Sequence, residues 1–306
     1  MKDNTIVVIT GPTATGKTAL AIEIAKKYNG EIISADSMQI YKEMDIGTAK
    51  PTKEEQNEVK HHLIDYVEPN SEYSVQQYVE DADKIINNLF KKNKLPIIVG
   101  GTGLYIKSLI YPYSFCSAPR DENIRNKYKK LLDDYGKEYI HDLLKEKDFE
   151  ASCKIHCNDT KRVIRALEIC EITGNNKTSL NIEQKTKKYN VVLVALNYPR
   201  EFLYERINKR VDNMFELGLL QEIEKLINNH KLNFDMQSMQ AIGYKEFKEY
   251  FNNEKPLLEV KELICKNSRN YAKRQITFIK GFENVKWFNP IEDKKAIFKY
   301  IEGEIL

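Results

Sequence analysis

The segment GPTATGKT, from Gly11 to Thr18, has the residue types and spacing of a phosphate-binding loop. Glycines let such a loop wrap so closely that its backbone N–H groups point at the phosphates, and the first turn of the following helix adds a partial positive charge. Lys17 would reach the terminal phosphates, and the hydroxyl of Thr18 would bind Mg²⁺. The residues predicted to bind a diphosphate or nucleotide are Gly11, Pro12, Thr13, Ala14, Thr15, Gly16, Lys17 and Thr18.

A carboxylate ends the second predicted strand, EIISAD, which runs from Glu31 to Asp36. In a parallel sheet Asp36 would lie at the same carboxyl-terminal edge as the phosphate loop, where ligands bind. There it could accept a proton from a nucleophile that attacks beside the phosphates, or act as an outer partner of a metal ion. A turn-forming aspartate explains the position equally well, so position alone leaves both interpretations open.

Alternating strands and helices must position these residues. Short apolar runs predict strands at Thr5–Thr10, Glu31–Asp36, Leu95–Gly101 and Val191–Asn197. Helical spacing of apolar residues predicts helices at Ala19–Lys27 and Val75–Lys92. This alternation implies parallel crossovers, so the predicted fold class is α/β, with a P-loop doubly wound parallel sheet as its core.

The strand pattern stops between about Cys116 and Asn190. Helices are predicted there at Asp121–Tyr135, Lys137–Glu146 and Thr160–Thr173. We therefore predict a helical domain, residues 116–190, inserted into a core formed by residues 1–115 and 191–306. The C-terminal part of that core is predicted to be helical near Arg200–His230, Met236–Phe251 and Leu257–Lys280, with a last short strand at Trp287–Phe288.

The composition limits the class of protein. Of 306 residues, 42% are hydrophobic, so the chain can bury a sizeable core. Its longest apolar runs fall far short of the ~20 residues that cross a bilayer, so no membrane partner is expected. The N-terminus lacks the pattern of a secretory signal and the five cysteines are scattered, so a cytoplasmic protein with reduced thiols is expected. Cys153, His156 and Cys157 lack a second pair at ligand spacing and do not predict a zinc site.

The net charge of +3, from 48 Lys and Arg against 45 Asp and Glu, gives no support to nucleic-acid binding, which needs clustered basic residues. Two segments are nevertheless locally basic. KRVIR, residues 161–165, places its three basic side chains on one side of a helix, with Val163 on the buried side. Residues 261–280 hold six Lys or Arg against one acid. Each segment could bind phosphates or be the solvated face of an amphipathic helix.

Several longer blocks follow the phosphate loop: DSMQIYKEMDIGTAKP (36–51), HHLID (61–65), GGTGLY (100–105), RALE (165–168), AIGYKE (241–246) and NYAKRQ (270–275). In these blocks and in their order, the chain resembles the bacterial tRNA dimethylallyltransferases, also called tRNA isopentenyltransferases. The resemblance spans residues 11–275 and is far more specific than the loop alone.

The resemblance implies that a dimethylallyl group is transferred from dimethylallyl diphosphate to N6 of the adenosine just 3′ of a tRNA anticodon, with Mg²⁺ present. No phosphoryl group moves in that reaction, which explains why the third and fourth predicted strands end in Gly101 and Asn197 and not in the metal-binding aspartate typical of NTP hydrolases. Asp36 would be the general base, and Lys17, Thr18 and Arg206 would complete the catalytic set, with Thr18 as the metal ligand. Arg210, one turn beyond Arg206, could share that role or be a solvated charge, and the solvated charge is favoured.

The resemblance also implies that tRNA is the macromolecular partner and that the inserted helices grip its anticodon stem-loop. No feature requires a dimer, so a monomer is expected. The implied tRNA contacts are Asp36, Ser37, Met38, Gln39, Thr102, Arg125, Lys161, Arg162, Val163, Ile164, Arg165, Gln240, Ala241, Ile242, Gly243, Tyr244, Lys245, Lys273, Arg274, Gln275 and Lys280.

Two other functions compete with this one. A P-loop small-molecule kinase, with ATP in the loop and Asp36 deprotonating an acceptor hydroxyl, explains the loop and the carboxylate equally well but gives no role to the basic segments. A non-catalytic, nucleotide-regulated RNA-binding module would use those segments without needing Asp36.

Overall fold

The computed structural model describes residues 4–111, 118, 120–174 and 187–306. The chain forms two compact units, one made of residues 1–110 and 187–306 and the other of residues 111–186. The predicted start of the insert, Cys116, lies outside the described residues. Its predicted end, Asn190, is the first residue of a strand in the first unit, so the second unit ends before it.

The first unit is built on one sheet of six parallel strands. They are β1 Thr5–Thr10, β2 Gly30–Ser34, β3 His61–His62, β4 Leu95–Gly100, β5 Asn190–Leu196 and β6 Lys286–Phe288. Their order in the sheet is β3-β2-β4-β1-β5-β6. β1 and β4, at the centre, are buried along their whole length, as expected for strands covered on both faces. The predicted α/β class is therefore confirmed.

The α-helices of the described residues are α1 Lys17–Tyr28, α2 Lys53–Glu58, α3 Val75–Lys91, α4 Gly103–Ile110, α5 Glu122–Lys147, α6 Phe149–Lys154, α7 Thr160–Thr173, α8 Arg200–Glu216, α9 Leu219–His230, α10 Phe247–Phe251, α11 Leu257–Ile279 and α12 Lys294–Ile305. α5, α6 and α7 belong to the second unit. α1 and α12 pack on the sheet in one hydrophobic cluster, in which Ile24 and Ile297 join Ile97 of β4. None of these helices is long and apolar enough to cross a bilayer.

The carboxyl ends of β1, β2 and β4 meet at one edge of the sheet. The register pairs Thr10 with Gly100 and Ser34 with Val99. The hydroxyl of Thr10 also donates to the carbonyl of Gly100 at 3.0 Å. Since the phosphate loop follows β1 and Asp36 follows β2, this pairing brings both predicted site elements to the same place.

The prediction of one helix over Met236–Phe251 is wrong. Only a 3₁₀ turn at Ser238–Gln240 and α10 are helical in this stretch. Between them Gly243 has a φ of 98°, a left-handed conformation that a helix interior does not contain. Gly218, with a φ of 94°, likewise divides the preceding predicted stretch into α8 and α9. Each glycine could have marked the end of a helix in the sequence, but the helical spacing of apolar residues on either side favoured a continuous helix.

The second unit agrees closely with the predicted helices. α5 is bent at Gly136, whose φ of 86° is not helical, and this is the predicted break between two helical stretches. α7 has the predicted bounds, and Gly174, with a φ of 67°, ends it. α6 has no counterpart among the predicted helices. The core of this unit contains Tyr128, Ile140, Leu144, Val163, Ile164 and Leu167.

A buried carboxylate, Glu168, joins α7 to the start of α5. Its oxygens accept hydrogen bonds from the Asp121 amide at 2.8 Å, from Arg125 at 3.0 Å and from Arg165 at 2.8 Å. Burial alone would raise the pKa of Glu168, but the hydrogen bonds from Arg165, Asp121 and Arg125 outweigh it and hold this pKa below its ordinary value. Arg125 and Arg165 thus have a structural partner in Glu168, and the tRNA contacts expected of them stay predictions.

Replacing Glu168 by alanine is expected to destabilise the protein by about 3–5 kcal/mol, because it leaves two half-buried guanidinium groups without their carboxylate. Urea unfolding followed by circular dichroism measures this change. Because the pKa of Glu168 is depressed in the folded state, the stabilisation should be fully present above about pH 4.3 and lost as the pH falls through the folded value. The matched control is Glu138→Ala on α5, which removes a more exposed pair with Lys137 and should cost about 1 kcal/mol or less. Equal losses from the two variants would contradict the special role of Glu168.

Candidate active site

A cavity of about 510 Å³ lies at the carboxyl edge of the sheet. Its wall contains the phosphate loop after β1, residues 36–39 after β2 and Gly100–Gly101 at the end of β4. Side chains of α8 and α11 and parts of two loops, 47–49 and 240–245, complete the wall. The cavity therefore unites segments that are far apart in the sequence.

The phosphate loop has the conformation that anion binding requires. Ala14 and Gly16 have φ values of 66° and 80°, which turn successive backbone N–H groups inward. The hydroxyl of Thr15 donates to the carbonyl of Pro12 at 2.8 Å and holds the loop closed. α1 begins at Lys17 with no side-chain cap, so its first N–H groups are available to a phosphate.

The surroundings of Lys17 in this loop disfavour its positive charge. Its Nζ donates to the carbonyl of Pro12 at 2.9 Å. Burial, and next the positive charge of Arg210, lower the pKa of Lys17 to about 8, and the negative charge of Asp36 opposes the shift. A bound anion would stabilise the ammonium group and raise this pKa.

Asp36 forms a turn and lies in the cavity wall, so the two interpretations of its position are compatible. Its Oδ1 accepts hydrogen bonds from the backbone N–H groups of Met38 at 2.9 Å and Gln39 at 3.4 Å. This turn holds the carboxylate at the end of β2. Tyr271 of α11 lies nearby, and burial, with a smaller effect of the Asp36 charge, raises the pKa of Tyr271 to about 12.

Glycines at the end of β4 allow two strand ends to approach closely. A Cβ atom on Gly100 would lie 2.1 Å from the carbonyl oxygen of Ala35, so no other residue fits there. The neighbouring Thr102 accepts a hydrogen bond from the backbone N–H of Ser37 at 3.1 Å. The GGTGLY block thus places Thr102 directly beside the segment that carries Asp36.

The family model described as IPP transferase matches residues 39–282. The tRNA dimethylallyltransferases of Caldanaerobacter subterraneus subsp. tengcongensis and Acetivibrio thermocellus are 48% and 49% identical to this chain, over 98% and 96% of it and 98% and 95% of their own lengths. The chain belongs to the IPP transferase family.

Solved structures of relatives agree with this membership. The tRNA isopentenylpyrophosphate transferase of Bacillus halodurans has a TM-score of 0.74 and 41% identity, covering 99% of this chain and 97% of its own. A eukaryotic dimethylallyltransferase, described as acting on tRNA, has a TM-score of 0.80 and 30% identity, covering 98% of this chain and 78% of its own. Membership of the IPP transferase family makes the chain a transferase, and the kinase alternative gains no support.

Two arginines of α8, Arg206 and Arg210, lie at places that differ from those predicted from the sequence. Arg206 donates from Nε to the carbonyl of Ala14 at 2.9 Å and its guanidinium lies over the ring of Tyr198, so it supports the phosphate loop. Arg210, not Arg206, is among the residues that line the cavity. Its Nη2 donates to the carbonyl of Thr48 at 3.2 Å. The interpretation of Arg210 as a solvated charge is therefore wrong. Its spacing of one helical turn from Arg206 is the sequence feature that could have indicated a place in the cavity wall.

Gln275 has a structural task in addition to its place in the cavity wall of this IPP transferase. Its Oε1 accepts from the backbone N–H of Thr13 at 2.9 Å, and its Nε2 donates to the carbonyl of Gly101 at 3.1 Å. The side-chain amide thus joins α11 to the phosphate loop and to the end of β4. Both ends of the amide are engaged within the protein, and the tRNA contact expected of Gln275 stays a prediction.

Several residues predicted to contact tRNA have buried side chains or lie in turns. Val163 and Ile164 belong to the core of the second unit, and Tyr244 is fully buried. Gly243 supplies the turn described above. Their side chains serve packing and turn formation, so the tRNA contacts expected at these four positions stay predictions that would have to use the backbone.

Other predicted contacts are placed where a ligand could reach them. On the second unit the exposed ones are Lys161 and Arg162. On α11 they are Lys273, Arg274 and Lys280, which follows its last residue. Lining the cavity are Ser37, Met38, Gln39, Gln240, Ala241, Ile242, Lys245 and Arg274.

Proposed function

We propose that this chain transfers the dimethylallyl group of dimethylallyl diphosphate to N6 of the adenosine just 3′ of a tRNA anticodon and releases diphosphate. One observation carries the proposal. A single cavity contains the phosphate loop after β1, two basic side chains, Lys17 and Arg210, and a carboxylate, Asp36, which follows β2 on the other side of β4. The names of the relatives, tRNA dimethylallyltransferase, give the same reaction class.

The residues of the cavity supply each element of this transfer. The bond between N6 and the allylic carbon forms as the bond between that carbon and the diphosphate oxygen breaks, and the electron pair of the broken bond leaves with diphosphate. Loop N–H groups, Lys17 and Arg210 would neutralise the charge that develops there. Asp36 would accept the N6 proton, which is needed because the N6 lone pair is delocalised into adenine.

Thr18 is the proposed protein ligand of Mg²⁺. It lies in the cavity wall next to Lys17, and a hydroxyl oxygen is a ligand that Mg²⁺ accepts. Within the described ranges no group of three His, Cys, Asp or Glu residues could hold a metal ion, so phosphate oxygens and water would supply the remaining ligands. When bound, the ion would neutralise diphosphate charge.

The proposal is tested by incubating the protein with Mg²⁺, labelled dimethylallyl diphosphate and unmodified tRNA that carries adenosine 3′ of the anticodon. Nucleoside analysis should find the label on N6 of that adenosine. The same tRNA with guanosine at that position is the control and should remain unlabelled. A parallel reaction contains γ-labelled ATP and small-molecule acceptors. Label in an ATP-derived product, with none on adenosine, would overturn the transferase in favour of the kinase.

Exposed basic residues of α7 are proposed to contact tRNA phosphates. We expect the double variant Lys161→Gln, Arg162→Gln to reduce the slope of log affinity against log salt by about 1.5, because each lost phosphate contact removes about 0.7–0.9. This slope is measured by filter binding of tRNA between 50 and 200 mM salt, a range over which such slopes become visible. The matched control is Lys145→Gln, Lys147→Gln on α5, with the same charge change and exposed side chains. An equal effect of both double variants would mean that the basic residues of α7 form an ordinary solvated helix face and do not contact tRNA phosphates.

A further inference from the structure

We propose that Glu222, on α9, is a positioning residue for the transfer reaction, and this inference rests on the proposed function. Its carboxylate receives three consecutive backbone N–H groups of a loop in the cavity wall. Oε2 accepts from Asp45 at 2.9 Å and from Ile46 at 2.7 Å, and Oε1 accepts from Gly47 at 3.2 Å. Three successive N–H groups on one anion fix the path of a loop far more tightly than a single hydrogen bond does.

The same carboxylate also holds a second part of the wall. The hydroxyl of Tyr244 donates to Oε1 of Glu222 at 2.6 Å. The Tyr244 ring packs against Gly47, where a Cβ atom would come within 2.4 Å of the ring. The neighbours of Tyr244 in the chain, Ala241, Ile242 and Lys245, line the cavity. Glu222 therefore joins the 45–49 loop to the 240–245 loop.

The loop that Glu222 holds presents two carbonyl groups to the functional side chains. The carbonyl of Thr48 accepts from Arg210 at 3.2 Å and from the Gln39 amide at 3.3 Å. The carbonyl of Ala49 accepts from the same amide at 3.2 Å. Arg210 and Gln39 both line the cavity beside Asp36. The carboxylate thus acts on the diphosphate end through Arg210 and on the base end through Gln39, without touching either substrate.

Glutamine is the sharpest replacement at this position. It has the same shape and keeps one acceptor oxygen, but it loses the charge and turns an N–H donor toward backbone N–H groups. The loop must then shift, and displacements of about 1 Å near a reacting centre can cost on the order of 10²-fold in rate. We expect Glu222→Gln to lower kcat by about 10- to 100-fold while KM for dimethylallyl diphosphate changes little, because Lys17 and the loop N–H groups still bind the ground state.

Two controls separate positioning from general damage. Glu224→Gln makes the same chemical change on the same helix, at an exposed side chain, and should leave kcat unchanged. Tyr244→Phe removes only one of the four donors to the carboxylate and should give a smaller loss than Glu222→Gln. If Glu222→Gln does not fold, Tyr244→Phe takes its place in the cycle below.

The deciding experiment is a double-mutant cycle with Arg210→Lys, which keeps a positive charge but loses the guanidinium geometry. Because Glu222 acts in part through Arg210, Glu222→Gln should cost a smaller factor in kcat in the Arg210→Lys background than in the wild-type protein. The proposal is overturned if the rate losses of the two single variants multiply in the double variant. It is also overturned if kcat is unchanged in Glu222→Gln. An inactive wild-type protein would instead contradict the proposed function, so the two failures are distinguishable.

Discussion

Replacing Asp36 by asparagine is expected to lower kcat for dimethylallyl transfer by about 10²- to 10⁴-fold, the range of general-base catalysis, while tRNA affinity stays unchanged. Asparagine keeps an oxygen that can accept from the Met38 and Gln39 amides, so the turn after β2 is retained. What it loses is the ability to accept the N6 proton. Single-turnover kinetics with saturating substrates measure the chemical step, and filter binding measures tRNA affinity.

The control for this variant is Asp235→Asn, which makes the same change in a loop whose side chain is exposed. It should leave both kcat and affinity unchanged. General-base catalysis supplies at least about 10²-fold in rate. If Asp36→Asn retained more than about a tenth of the wild-type rate, Asp36 would therefore be only a turn-forming residue. A wild-type protein that binds tRNA but transfers no label would instead favour the non-catalytic binding module.

The affinity for dimethylallyl diphosphate is expected to fall as the pH rises through about 8. The pKa of Lys17 is lowered to about 8, chiefly by burial and next by Arg210, so its ammonium loses the proton well below the ordinary range of lysine. One unit above the pKa about a tenth of a group remains protonated. If only the protonated form binds, affinity at pH 9 should be about tenfold lower than well below the pKa. Calorimetry should also detect proton uptake on binding above pH 8, because the bound anion raises the pKa of Lys17.

Two variants assign this titration. Lys17→Met should bind the diphosphate about 10- to 100-fold more weakly, as expected for one charged hydrogen bond, and should show no step near pH 8. Arg210→Gln should move the step to higher pH, because the charge that helps to lower the pKa is gone. A step that persists in Lys17→Met would belong to another group.

Local signals predicted much of the fold and the centre of the site. β1, the phosphate loop and α1 are adjacent in the sequence, and the loop conformation follows from its glycines and from the helix that comes next. α7 was predictable in full because its apolar side, its cap and Gly174 all lie within one short segment. α2 carries an equally local signal, the capping box of Thr52 and Glu55, which hydrophobic spacing alone does not detect.

Residues whose role depends on distant partners could not be predicted in the same way. The amide of Gln275 bonds to Thr13, 262 positions away, and Arg210 bonds to Thr48, 162 positions away. Glu222 reaches Asp45 across 177 positions. No periodicity or motif in the sequence encodes such pairs, because only the packing of α8, α9 and α11 around the sheet edge creates them.

By itself the sequence determined the parallel α/β core, the phosphate loop and the carboxylate after β2, since these depend on short-range backbone preferences and on the common direction of parallel strands. Only the tertiary structure decided which charged side chains act in the cavity and which hold the protein together. Arg210 lies in the cavity wall, Arg125 and Arg165 hold Glu168, and Glu222 holds two loops. The physical reason is that a charge taken out of water must be paired, and its partner is chosen by the fold rather than by neighbouring residues.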